Sequence, residues 1–254
     1  MFLEKINKFP DESTKLKKMY SSNCTTCNGS GLAKNEGRCV TCNCIKKANI
    51  QARLICNGLP KKYVNITWDN IPNAEQDESS IIKLKNYCES IDVNIWEGKN
   101  LFINSLDKNK IMMIEAAICS DVAYKKNEDG CFYNILIVTT EELMQTQYSS
   151  KNNFDIKNRL NKVVNGVDIL MLNYLGEETD NRTDNTSKYI NDLIVRRSFD
   201  NKLTVISSSL DMESIANRYG VNFITSIKQN FKPVKLQNAT EIIEKVGVEE
   251  NGYY

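Results

Sequence analysis

The sequence predicts an α/β protein: a parallel sheet sandwiched by helices, preceded by a small cysteine-rich metal module. Three observations lead there. Short, nearly continuous apolar runs recur after residue 100, at LFIN (101–104), NILIVTT (134–140), VDILMLN (167–173) and LTVISS (203–208). Such runs mark strands covered on both faces. Helical stretches separate them, at 110–126, 140–148, 155–164 and 186–199, and alternation of this kind builds parallel sheets. Finally, five of the nine cysteines crowd between Cys24 and Cys44.

Composition bounds the class. The 254 residues suffice for one medium domain plus a smaller one, or for two domains. A hydrophobic fraction of 41% and a charged fraction of 26% fit a soluble globular chain with a sizeable core. The formal net charge of +1 sets up no global field that would announce nucleic acid or membrane, although a local basic surface stays open. No apolar run approaches the roughly 18–20 residues that span a bilayer. The opening MFLEKINKFPDESTKLKK lacks the apolar core and cleavage site of a signal peptide, so no membrane partner and a cytoplasmic location are expected. There is no histidine, which removes the commonest general base and any histidine metal ligand. Heavy use of Asn, Lys and Ile hints at an AT-rich genome, bacterial or phage.

Along the chain, residues 1–20 read as a short helix, 45–59 as a basic helix and 60–71 as an extended connector. The stretch 72–80 is loop-like and 81–91 has helical apolar spacing. Asp211 is placed to cap a helix over 211–220, and 233–237 supplies a late strand. The acidic end 249–254 is expected to fray. The divisions drawn are a metal module at 1–58, a connector at 59–80, the sheet domain at 81–240 and a tail at 241–254.

In 24-CTTCNGSGLAKNEGRCVTCNC-44, Cys24 and Cys27 form a knuckle whose thiolates can face one tetrahedral Zn²⁺, with Gly29 and Gly31 permitting the turn. A second pair about fifteen residues on closes such a site. Either Cys39 with Cys42 or Cys42 with Cys44 can supply it. A site of four cysteines leaves no open position for chemistry, so the zinc is expected to be structural. Cys56, Cys88, Cys119 and Cys131 stand singly, as buried thiols do.

Taken in order, these landmarks resemble the DnaC/DnaI-type replicative helicase loaders, bacterial and phage AAA+ proteins. The motifs that carry the resemblance are 24-CTTCNGSG-31, 42-CNCIKK-47, 59-LPKKYVNITWDNI-71, 101-LFIN-104, 137-IVTTEELM-144, 168-DILMLNYLGEE-178, 189-YINDLIVRR-197 and 203-LTVISSSLDMESIANRYG-220. They cover roughly residues 20–237. The resemblance implies an AAA+ sheet and favours Cys42 with Cys44 as the closing zinc pair, leaving Cys39 as the alternative.

It also implies where nucleotide would be handled, and there the sequence departs from the pattern. The loop 104-NSLDKNKI-111 has no glycine, and Asn104, Asp107 and Asn109 stand at glycine positions. Lys110 aligns with the phosphate lysine, while Ile111 replaces the hydroxyl residue that holds Mg²⁺. Asn173 replaces the Mg²⁺-linked aspartate and Tyr174 the acid beside it; Ser209 takes the sensor asparagine's place. Asn222 and Ser226 stand where arginines belong. ATP and Mg²⁺ are therefore not expected to bind. Lys110 reads as a solvated lysine at a helix start, Arg196 and Arg197 as salt-bridge residues, and Tyr63 and Trp68 as packing the connector onto the core.

The function expected is that of a loader-like replication protein whose AAA+ domain has lost ATP binding and hydrolysis. Its partner would be a replicative DNA helicase or a fellow loader, met through the zinc module, with single-stranded DNA as a further partner. The rival readings are a working DNA-dependent ATPase loader, a transposition AAA+ adaptor of the IstB class, and a zinc-bearing single-strand DNA-binding protein.

Overall fold

The computed structural model describes residues 3–4, 7–72, 77–127, 129–179 and 183–237; the tail at 241–254 lies outside them. The chain opens with helix α1 (Phe9–Ser22), strands β1 (Leu32–Asn35) and β2 (Arg38–Thr41), and helix α2 (Asn43–Cys56). The two strands form an antiparallel hairpin in which Asn35 faces Arg38. Glu36 and Gly37 turn it with φ of 48° and 77°, the left-handed pair that a two-residue hairpin loop requires. Helix α1 lies along α2, with Ser13 Oγ donating to Asn49 Oδ1 at 2.8 Å and the Tyr20 hydroxyl donating to Gln51.

The sheet domain follows, with helices α3 (Glu78–Glu89) and α4 (Ile91–Trp96), strand β3 (Asn100–Asn104) and helix α5 (Lys108–Val122). Next come β4 (Ile135–Thr139), α6 (Thr140–Ser149), α7 (Phe154–Gly166), β5 (Ile169–Asn173) and α8 (Thr183–Phe199). Strand β6 (Leu203–Ser208), helices α9 (Met212–Tyr219) and α10 (Val221–Asn230), and strand β7 (Phe231–Lys235) complete it. The five strands stand in the order β4-β5-β6-β3-β7 and every pairing is parallel.

Alternation along each strand divides the core in two. Leu101, Ile103, Ile135, Ile137, Ile169 and Met171 enter one layer, where Ile81 and Leu84 of α3 and Ile114 and Ile118 of α5 meet them. Phe102, Leu136, Val138, Leu170 and Leu172 enter the other, against Leu160 of α7, Ile190 and Leu193 of α8, and Phe223 and Ile227 of α10. The expected strands, and the helices between them, are present. Strand β7 begins two residues before its expected start, and α4 and α10 are helices that apolar spacing did not single out. Among the described residues, no helix is long and apolar enough to cross a membrane.

The connector is not extended. It holds two 3-10 turns, Lys61–Tyr63 and Trp68–Asn70, and the segment drawn as its end already belongs to α3 from Glu78. Tyr63 and Trp68 do pack into the first core layer, as do Ile50 and Leu54 of α2, and the Trp68 indole N–H donates to Asp121. Just before the connector, Asn57 covers the edge strand β4. Its carbonyl accepts from Ile137 N at 2.8 Å, and its Nδ2 donates to Ile135 O at 2.8 Å. Capping an edge in this way hides unpaired backbone groups. Gly58, at φ 109°, makes the approach possible: a Cβ there would lie 1.9 Å from Ile137 O.

Arg197 is not a salt-bridge residue. It is fully buried and its guanidinium donates to the carbonyls of Val164 (2.6 Å), Val167 (3.1 Å) and Leu203, and to Thr204 Oγ1 (3.1 Å). It ties the end of α7 to the starts of β5 and β6. Arg196 is exposed and donates to Asp192 O. Of the singly placed cysteines, Cys56, Cys88 and Cys119 are buried, whereas Cys131 is exposed on the β4 approach.

Candidate metal centre and degenerate nucleotide site

Four thiols converge where the hairpin meets α2. The Sγ atoms of Cys24, Cys27, Cys42 and Cys44 all lie within 4.8 Å of one another. Cys24 and Cys42 are 3.7 Å apart, and Cys27 and Cys44 3.6 Å. A tetrahedron with Zn–S bonds of about 2.3 Å has S···S edges of about 3.8 Å, so the donor set fits that ion. Cys39 is exposed on β2, opposite Lys34, and is not one of the group. Backbone N–H groups of Cys27 and Thr26 point at Cys24 and hold its thiol down to about 6. Desolvation, together with the neighbouring sulfurs, pushes Cys44 up to about 12. Thiolates gathered this closely repel one another, a conflict that a divalent cation resolves.

At the C-terminal ends of β3, β5 and β6, most of the polar residues aligned with nucleotide chemistry meet a partner within the chain. Asp107 caps α5, its Oδ1 accepting from Asn109 N at 2.9 Å and Lys110 N at 3.0 Å. A carboxylate therefore takes the helix N–H groups that an anion would otherwise meet. Asn104 Nδ2 donates to Ser208 O and Leu210 O, tying the loop to the end of β6. Asn109 accepts from the Tyr63 hydroxyl at 2.5 Å.

Lys110 is not solvated. It is 6% exposed, and its Nζ donates to Asp77 Oδ2 at 2.8 Å and to Gln237 O at 3.0 Å. Asp77 Oδ1 accepts from Gln237 N at 2.6 Å. The reason lies in the packing of α5: Ile111 beside it is fully buried, which draws the lysine inward, and a buried ammonium requires a counter-charge. Asp77, just ahead of α3, supplies it.

Asn173 ends β5 buried, with Nδ2 donating to Glu115 Oε2 at 2.6 Å. Glu115 is itself fully buried on α5. Burial pushes its carboxyl up to about 8, with the hydrogen bond from Asn173 opposing only in part. Tyr174 takes φ 59°, and Lys108 Nζ sits 5.6 Å from its ring centre. Lys108 also pairs with Glu177, whose other oxygen accepts from Ser209 Oγ at 2.5 Å. Asn222 and Ser226 lie on α10.

No family model and no curated protein matches the sequence. Solved structures do match. The DnaC helicase loader superposes with a TM-score of 0.53 at 20% identity, covering 70% of this chain and 99% of that one. DnaI gives 0.50 at 19% identity, over 71% and 93%. Domain III of DnaA from Thermotoga maritima gives 0.55 at 14% identity, over 77% of each. The chain carries the AAA+ fold. It is the fold of the DnaC and DnaI loaders, as the sequence motifs implied.

Within this fold, sequence reasoning missed Asp77 and Glu115. Asp77 is remote from the loop in sequence, in a stretch that reads as polar linker. Glu115 has a detectable signal, a lone acid in the apolar run 111-IMMIEAAIC-119. The folded chain holds the Glu115 proton up to about pH 8, whereas the unfolded chain releases it near the ordinary value of 4.5. Stability is therefore full below that lower value and declines as the pH rises toward 8, by roughly 1.4 kcal/mol per pH unit. Glu115→Gln is expected to flatten that slope in urea unfolding at pH 5, 6.5 and 8; parallel slopes in the two proteins would refute a neutral Glu115.

Proposed function

We propose that this chain is a DNA-replication protein of the helicase-loader type that works without binding or hydrolysing ATP at the ordinary AAA+ site. One observation carries the reading: Lys110, the residue aligned with the phosphate lysine, is spent on Asp77 and Gln237 O. The residues there do not fit a magnesium-bound triphosphate. Asp107 occupies the helix N–H groups, and neither Ile111 nor Asn173 offers the metal an anionic or hydroxyl ligand. The likeness to DnaC and DnaI supports a loader role, with a replicative helicase or a fellow loader as partner.

The cysteine module is the docking element in this reading, with Cys24, Cys27, Cys42 and Cys44 holding one structural Zn²⁺ that supplies folding energy. Its charge supports docking. Residues 1–62 contain twelve lysines and arginines against four acidic residues, whereas the remainder has 21 against 28. Four thiolates on one divalent ion take back only two of those charges. Lys34 of β1 and Lys46 of α2 line one groove beside the cysteines, a surface suited to an acidic partner face.

Metal analysis is expected to find about one zinc per chain, lost in Cys24→Ser and Cys44→Ser and kept in Cys39→Ser. Loss in Cys39→Ser with retention in Cys44→Ser would overturn the ligand set. For docking, the full chain should retain replicative helicase in a pull-down with or without Mg-ATP. The double variant Lys34→Glu, Lys46→Glu should retain at least tenfold less while keeping its zinc. Retention that requires Mg-ATP would instead support the working-ATPase reading, and binding of single-stranded DNA in place of helicase the DNA-binding one.

A further inference from the structure

We propose that the groove between α3, α4 and the edge strand β7 binds a small organic phosphate. The cavity measures about 420 Å³, within the range of small-molecule sites. Three lysines line it: Lys83 from α3, Lys99 ahead of β3, and Lys232 from β7. The one ion pair among them in the described residues joins Lys99 to Glu97, itself partly exposed. Among the described residues Lys232 has neutral neighbours only, Asn94 Oδ1 at 3.4 Å and the Tyr87 ring at 6.0 Å. Asn94 is buried and its Nδ2 is held by Tyr87 O at 2.9 Å, which fixes the carbonyl oxygen toward the ammonium. Burial and the like charge of Lys99 both lower the Lys232 pKa. Lys83 and Lys232 thus bring to the groove positive charge that no described acidic side chain pairs, and an anion relieves it.

The rest of the lining says what kind of anion. Val93 and Pro233 provide an exposed apolar wall, with Tyr87 and Leu101 buried behind it, and the Tyr87 hydroxyl is committed to Lys99 O at 2.8 Å. A phosphate facing the lysines, with an apolar or aromatic body against that wall, satisfies both halves. The groove is separate from the degenerate nucleotide site. Lys232 is in register with Leu101, near the start of β3, whereas Lys110 follows its C-terminal end, a strand length of roughly 13 Å away.

ADP without divalent metal is a suitable probe in calorimetry on the full chain. Dissociation constants below about 1 mM are expected, at least tenfold weaker in the double variant Lys83→Gln, Lys232→Gln, whose lysines are exposed enough to leave folding intact. Inorganic pyrophosphate is expected to bind at least fivefold more weakly than ADP, and equal affinity would overturn the organic part of the assignment. Hydrogen exchange locates the site: ADP should protect residues 83–101 and 231–235. Absence of binding at 1 mM, or undiminished binding by the double variant, overturns the groove alone. Protection at 104–112 instead overturns both the groove and the closed AAA+ site.

Discussion

The ion pair between Lys110 and Asp77 is the constraint on which this domain's arrangement depends. It joins the entry to α3, the first turn of α5 and the strand end after β7, because the Gln237 carbonyl and N–H complete the knot. Both side chains are almost wholly out of water. Neither charge tolerates that position alone, and a pair so placed loses far more when broken than when replaced as a unit. With α5 anchored there, Asp107 closes the helix N-terminus, Asn104 reaches the end of β6, and Glu115 comes to lie under Asn173. Lys110, Asp107, Asn104 and the Asn173 amide nitrogen are thereby each turned toward another part of the chain.

That rim is also coupled to the cysteine module. Helix α2 contributes Ile50 and Leu54 to the same core layer as β3 and α5. Asn57 pairs with the edge of β4 while Gly58 packs against Ile137, and Tyr63 reaches Asn109 in the loop itself. A partner that engages the module meets a surface continuous with the sheet, not a tethered appendage. The boundary drawn at 58–59 falls just after α2, whose Ile50 and Leu54 pack on the sheet.

Much of this was legible in the sequence, for identifiable reasons. The strands were legible because both faces are apolar and the runs short; Phe102 and Ile103 each find their own layer. The cysteine cluster was legible because thiol spacing encodes geometry, although spacing alone left Cys39 and Cys44 equivalent, and only the hairpin register turns Cys39 outward. The positions of Lys110, Asn173 and Ser209 could be located but their surroundings could not. A lysine at a helix start is ordinarily solvated, and its burial depends on Asp77, 33 residues earlier, which no local pattern connects to it. Arg197 misled for a similar reason: its partners are carbonyls, which carry no signature in the sequence.

The most direct test is a double-mutant cycle on that pair, measured by equilibrium unfolding of Lys110→Met, Asp77→Leu and the combination. Each single variant is predicted to lose about 3–5 kcal/mol, and the double variant far less than the sum. If Lys110→Met instead costs under about 1 kcal/mol and the two effects simply add, the lysine is a free, hydrated side chain available to a phosphate. The account of a closed AAA+ site would then be contradicted.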